Sequence, residues 1–89
     1  MEFEWDVKKA KANERKHGVT FEFATGVFDD PYRTERLDES SAEERWAALG
    51  LVEEIELYVV YTLRGEAIRL ITARKATRYE REKYWNREI

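Results

Sequence analysis

The spacing of apolar and polar residues along this chain predicts two helices, then a run of strands, then a final helix. Asp6 precedes VKKAKANERKH (7–17), a stretch of good helix formers that it can cap, and Gly18 follows as a C-terminal stop. Thr20 can cap a second, shorter helix that carries Phe21, Ala24, Val27 and Phe28 at helical spacing. Asp29-Asp30-Pro31 ends it, because a residue before proline leaves the helical region. From Tyr32 the periodicity changes to alternation. YRTERLD (32–38) reads as an outer strand, RWAALGL (45–51) and IELYVVYT (55–62) as strands rich in strand formers, and EAIRLITA (66–73) follows across a turn at Leu63-Arg64-Gly65-Glu66. The acidic piece Asp38–Glu44 reads as a loop. Beyond Arg74 a helix returns, with Thr77 and Glu80 spaced as a capping box and Tyr84 four residues further on. The expected architecture is a small single α+β domain over 1–89: two N-terminal helices, about four antiparallel strands and a C-terminal helix packed on the sheet.

Composition narrows the chemistry. With no Cys and one His in 89 residues, the chain has no disulfide framework, no thiolate zinc site and no paired-histidine nuclease site. No uncharged run is longer than Leu57–Leu63, and the acidic start MEFEWD contains no apolar signal segment, so the expectation is a soluble, cytoplasmic protein without membrane association. Asp29 with Asp30, or Asp38 with Glu39, read as acidic turns rather than a metal site, and no Gly-rich phosphate loop is present.

Taken alone, the net charge of −3 disfavours nucleic acid, but it is an average over unequal parts. Residues 21–63 carry three basic groups against eleven acids, a net of −8, whereas residues 64–89 carry eight basic groups against four acids, a net of +4. The basic part interleaves Arg64, Arg69, Arg74, Lys75 and Arg78 with Tyr79, Tyr84 and Trp85, a mixture suited to phosphate and to unpaired bases. Mixed-charge helices are also ordinary solvated faces.

Several segments in this order resemble the BrnT family, ribonuclease toxins of bacterial type II toxin–antitoxin systems: FEWD (3–6), KHGVTFEFA (16–24), VFDDP (27–31), VVYTLRG (59–65) and IRLITARKATRYEREKY (68–84). Phe23 and Thr72 depart from the family pattern, which has Glu and Ser at these places; neither change removes a charged candidate. The resemblance implies a RelE-like toxin fold and RNA cleavage in the cytoplasm without a metal or other cofactor. It also implies neutralisation by a BrnA-type ribbon-helix-helix antitoxin, through which alone the toxin would meet DNA. A non-catalytic nucleic-acid-binding or protein-interaction module on the same fold is the alternative.

Metal-free RNA cleavage needs a base for the ribose 2′-hydroxyl, cations for the phosphorane and an acid for the leaving 5′-oxygen. Under the resemblance, the catalytic candidates are His17, Arg64, Arg74 and Glu80. Arg69, Lys75, Arg78, Tyr61 and Tyr84 are the RNA-binding candidates. Arg64, Arg69, Arg74 and Lys75 are expected to converge on one sheet edge beside the N-terminus of the last helix. His17 is the one side chain whose ordinary titration range is near neutrality; it equally suits the C-terminal turn of its helix. Glu80 is a candidate base or a capping residue, and Tyr61 and Tyr84 are base platforms or half-buried core residues with wet hydroxyls. The acidic middle is expected to lie away from the RNA site, facing solvent or the antitoxin.

Overall fold

The computed structural model describes residues 1–39 and 42–86. A short strand β1 (Glu2–Glu4) precedes helix α1 (Val7–His17) and the one-turn helix α2 (Phe21–Ala24). A 3-10 turn over Thr25–Asp29 leads to strands β2 (Thr34–Asp38), β3 (Arg45–Val52), β4 (Ile55–Arg64) and β5 (Ala67–Lys75), followed by helix α3 (Arg78–Trp85). Asp38 closes β2, so the expected acidic loop starts one residue later, and its Ser40 and Ser41 lie outside the described residues. None of the described helices is long and apolar enough to cross a membrane.

The helix ends form as their sequences dictate. The Asp6 carboxylate accepts from the Lys9 N–H at 3.0 Å, and Gly18 adopts φ 70° while its N–H returns to the Glu14 carbonyl at 2.8 Å. The second helix is shorter than its apolar spacing predicts. After four residues it tightens into the 3-10 turn, which drives Val27 and Phe28 directly onto the sheet. The fit is close enough that a Cβ on Gly50 of β3 would sit 2.9 Å from Val27 Cγ1.

The sheet has five strands in the order β1-β5-β4-β3-β2, and it is mixed, not the four-stranded antiparallel sheet expected. The additional strand, β1, runs parallel to β5, pairing Phe3 with Ile68. Three residues give too little alternation to read as a strand, and β5 supplies the template. The expected RelE-like arrangement is therefore met only at the level of a small α+β protein with three helices on a sheet. Beyond β1 the edge of β5 is covered by a side chain. Asn13 of α1 donates to the Ala73 carbonyl at 2.8 Å and accepts from the Ala73 N–H at 3.1 Å, replacing a neighbouring strand, and it also donates to the Val19 carbonyl at 3.1 Å.

Pairing of β4 with β5 shifts register between Val60 and Tyr61, which leaves Ile71 as the extra residue of a β-bulge. The bulge keeps Ile68, Leu70 and Ala73 on one face with Leu57, Val59 and Tyr61. That face is the main core, closed by α1, α2 and the 3-10 turn; Phe28 meets the Tyr61 ring edge-on at 5.0 Å between centroids. On the opposite face α3 covers only one end, where Leu49, Leu51, Ala76 and Tyr84 cluster.

Asp30 fixes that helix. Only 8% exposed, its carboxylate accepts from the Tyr32 N–H at 2.8 Å, the Leu51 N–H at 2.8 Å and the Tyr84 hydroxyl at 2.5 Å. Within the expected acidic turn, Asp30 is thus an internal tie between the 3-10 turn, β3 and α3. Replacing Asp30 with Ala strands these donors and is expected to cost about 3 kcal/mol, against about 1–2 kcal/mol for Tyr84→Phe, read from urea unfolding midpoints. The β3–β4 turn stores strain, since Glu53 and Glu54 hold φ of 47° and 70°. The double variant Glu53→Asn, Glu54→Gly is expected to raise stability by about 1 kcal/mol in the same assay.

Candidate functional site

Strand alternation and the bulge together decide which side chains share the open face of the sheet. Opposite the main core, β2 presents Arg36, β3 presents Arg45, β4 presents Tyr58, Thr62 and Arg64, and β5 presents Arg69, Thr72 and Arg74. Helix α1 flanks this face along β5, and α3 flanks its other end.

At the α1 end, two adjoining depressions of about 180 and 350 Å³ share Lys9, Arg45 and Ile71. Arg64, Arg69 and Thr62 line the first; Lys16, His17 and Thr72 line the second. Lys9 and Lys16 are seven residues apart on α1, two helical turns, so they project to the same side with His17 next to Lys16. The ion pairs here are loose and partly exposed: Arg69 lies 3.5 Å from Glu4, and Arg45 lies 3.7 Å from Glu43. Such pairs contribute little and yield readily to a better anion. Glu43 also lines the depression that holds Arg64, so the acidic middle is not wholly separated from the basic residues as expected. By contrast, Glu53 and Glu54 sit at the far end of β4 from Arg64.

At the α3 end, Arg74 is a fixed guanidinium. It donates to both carboxylate oxygens of Glu80, at 2.8 and 2.9 Å, and its guanidinium carbon lies 4.2 Å from the centre of the Tyr58 ring. Glu80 also accepts from the Thr77 N–H at 2.8 Å, while Thr77 Oγ1 accepts from the Glu80 N–H at 3.2 Å, completing the capping box. The hydrogen bonds from Arg74 hold the Glu80 carboxyl below the usual carboxylate range, outweighing the opposing effect of burial. The same bonds push the Arg74 guanidinium further up. Arg36 donates to the Tyr58 hydroxyl at 3.3 Å, and a groove of about 480 Å³ opens between these residues and Tyr79 and Lys83 of α3.

The sequence candidates are therefore divided. His17, Arg64 and Arg69 gather at the α1 end. Arg74 and Glu80 meet at the α3 end, six β4 positions away when measured from Tyr58, the partner of Arg74, to Arg64, which is about 20 Å. The expected convergence of Arg64 with Arg74 does not occur, because a strand hairpin holds its tip and its base apart. Alternation turns Lys75 to the other face from Arg74, and Arg78 is an exposed residue of α3 paired with Glu82 at 3.2 Å.

Tyr61 and Tyr84 are corrections. Both are buried, at 4% and 2% exposure, and neither offers a face to RNA. The Tyr61 hydroxyl donates to Glu35 and the Tyr84 hydroxyl to Asp30, so the expected wet hydroxyls are internal. Burial, with the nearby Glu35 carboxylate, pushes the Tyr61 phenol well above its ordinary range. Residues missed in the sequence are Lys9, Lys16 and Arg45 at one end and Arg36, Tyr58 and Lys83 at the other, where they join Tyr79. The helical spacing of Lys9 and Lys16 was a readable signal; the alignment of Arg36, Arg45 and Tyr58 required the strand register.

The Arg74–Glu80 bond predicts a pH effect of definite sign. A depressed folded-state carboxyl contributes stability above its unfolded pKa of about 4.3 and loses it as pH falls through the folded value. In an NMR titration Glu80 is expected below the ordinary carboxylate range, moving up toward it in Arg74→Gln. The variant is also expected to lose less stability than the wild type on acidification.

A comparison with curated proteins returned no match. A family model does match, over residues 5–80, a span that runs from the residue before the α1 cap to Glu80 and takes in both ends of the open face. Covering most of the chain, that match shows that the protein belongs to the BrnT family, the ribonuclease toxins of type II toxin–antitoxin systems.

Proposed function

We propose that this chain cleaves RNA at the α1 end of the open face by a metal-independent endoribonuclease mechanism. The observation that carries this is the meeting of Lys9, Lys16 and His17 from α1 with Arg45, Arg64 and Arg69 from three strands around the Ile71 bulge. Membership of a ribonuclease-toxin family supports the reaction class, and the basic cluster supports this choice of place.

In this reading the RNA backbone crosses the strip shared by the two depressions. The ribose 2′-oxygen attacks the adjacent phosphorus, the bond to the 5′-oxygen breaks, and the products carry a 2′,3′-cyclic phosphate and a 5′-hydroxyl. Arg64 has no ion-pair partner among the described residues, so its guanidinium is available for the charge that builds on the phosphorane. Arg45 and Arg69 exchange their loose carboxylate partners for phosphate oxygens, and Lys9 and Lys16 hold the flanking backbone. His17 takes the proton from the 2′-hydroxyl and returns one to the leaving 5′-oxygen. Arg74 and Glu80 satisfy each other, which assigns them to positioning Tyr58 and the start of α3.

A protein antitoxin partner follows from membership of the family. We take it to be a BrnA-type ribbon-helix-helix protein that carries the DNA contact, with the complex acting in the cytoplasm.

Cleavage of an unstructured RNA in excess EDTA tests this. His17→Ala is expected to lower the single-turnover rate about 10²- to 10⁴-fold, and Arg64→Ala about 10²- to 10³-fold, with new 2′,3′-cyclic ends in the wild-type digest. Loss of wild-type cleavage in EDTA overturns the metal-free mechanism, and RNA that is bound but left intact favours the non-catalytic module.

A further inference from the structure

The groove at the α3 end takes no part in the proposed phosphate chemistry, yet its lining is unusual for a surface left bare. Ala47, Leu49 and the Tyr58 ring lie along the sheet side, and Tyr79 stands on α3 with 67% of its surface exposed. At about 480 Å³ the space falls within the usual range for small-ligand sites, about 300–1,000 Å³.

Its charges are also selective. Two acidic residues line it, and both carboxylates are already engaged: Glu80 with Arg74, and Glu35 with Arg33 at 3.2 Å and with the Tyr61 hydroxyl. The cations Arg36 and Lys83 have no carboxylate partner among the described residues. Arg36 contacts the Tyr58 hydroxyl, and the Lys83 ammonium lies 5.5 Å from the centre of the Tyr79 ring. Stacking of Arg74 on Tyr58 and its two hydrogen bonds to Glu80 hold the Tyr58 ring without covering the groove. Aromatic faces with uncompensated cations form the platform on which proteins stack unpaired bases while tracking the backbone.

We propose that this groove is a base-stacking subsite for single-stranded RNA. One unpaired base seats against Tyr79 over the Ala47–Leu49 floor, and Arg36 and Lys83 hold the adjoining phosphates. This rests on the ribonuclease reading and deepens it, because the subsite lies on the same face about 20 Å from Arg64, roughly six stacked nucleotides at about 3.4 Å each. The substrate is therefore single-stranded over the length of the face, since a base held in a duplex offers no free ring to the groove.

The test uses an unstructured octamer with 2′-O-methyl groups, which blocks attack by the 2′-oxygen, so that binding is read by fluorescence anisotropy without cleavage. Tyr79 is exposed, and its replacement leaves the core intact. Tyr79→Ala is expected to raise Kd about five-fold or more, Tyr79→Phe less than about two-fold, and the same octamer in a duplex should show no dependence on residue 79. Lys83→Ala should lower the salt dependence of log Kd by about 0.7, one single-strand phosphate contact. Equal binding by the wild type and Tyr79→Ala, with unmodified RNA still cut by both, overturns the subsite and leaves the ribonuclease reading standing. Tyr79-dependent binding of RNA that is never cut does the reverse. Loss of antitoxin binding in Tyr79→Ala with RNA affinity unchanged assigns the groove to the protein partner and also overturns the proposal.

Discussion

The Asp30 carboxylate decides where the last helix of this protein lies, and the form of the open face follows from that placement. A buried carboxylate is costly unless it is fully hydrogen-bonded, and here backbone donors and a tyrosine hydroxyl meet it inside the fold. It accepts the Leu51 N–H on the edge of β3 beyond Leu49, where pairing with β2 stops, so it also finishes an edge the sheet leaves unpaired. Through Tyr84 the same group draws α3 down over Leu49 and Leu51 and no further. The rest of that face is not covered by α3.

Bulge and edge then arrange the charges. Without the extra residue at Ile71, Ala73 would turn from the core and Arg74 would turn into it, reversing the faces of the end of β5. Asn13 holds the bulged strand by its exposed edge, and in doing so places α1, with Lys9, Lys16 and His17, beside the sheet. Buried polar side chains on either side of the sheet thus bring helices from opposite ends of the sequence to the same open face. The basic residues are spread across it, one set around the bulge and the other beneath α3. In the proposed function a strand of RNA covers that distance, since a compact phosphate site centred on Arg64 and Arg74 does not fit it.

Much of the local structure was legible. Asp6 and Gly18 bound α1, and Thr77 with Glu80 starts α3, because caps are satisfied by neighbours in the chain. Basic character at His17 and Arg64 was equally readable. The side of the sheet each residue faces was not, since it depends on register and on a single inserted residue in β5. Tyr61 and Tyr84 show the same limit. An aromatic ring near arginines in sequence suits a base platform or a core equally well, and the choice falls to carboxylates far away, Glu35 and Asp30.

Composition and order determined that this chain is a small α+β protein with capped helices, that no cysteine and one histidine are available for its chemistry, and that it resembles the BrnT family. These follow from short-range physics: propensity, capping and the residue types available. Tertiary structure alone decided that β1 joins the sheet in parallel, that Asp30 is interior, and that α1 shares a face with the strand arginines. Each depends on contacts between residues distant in sequence, where burial and pairing set the outcome and local pattern carries no record of the partner.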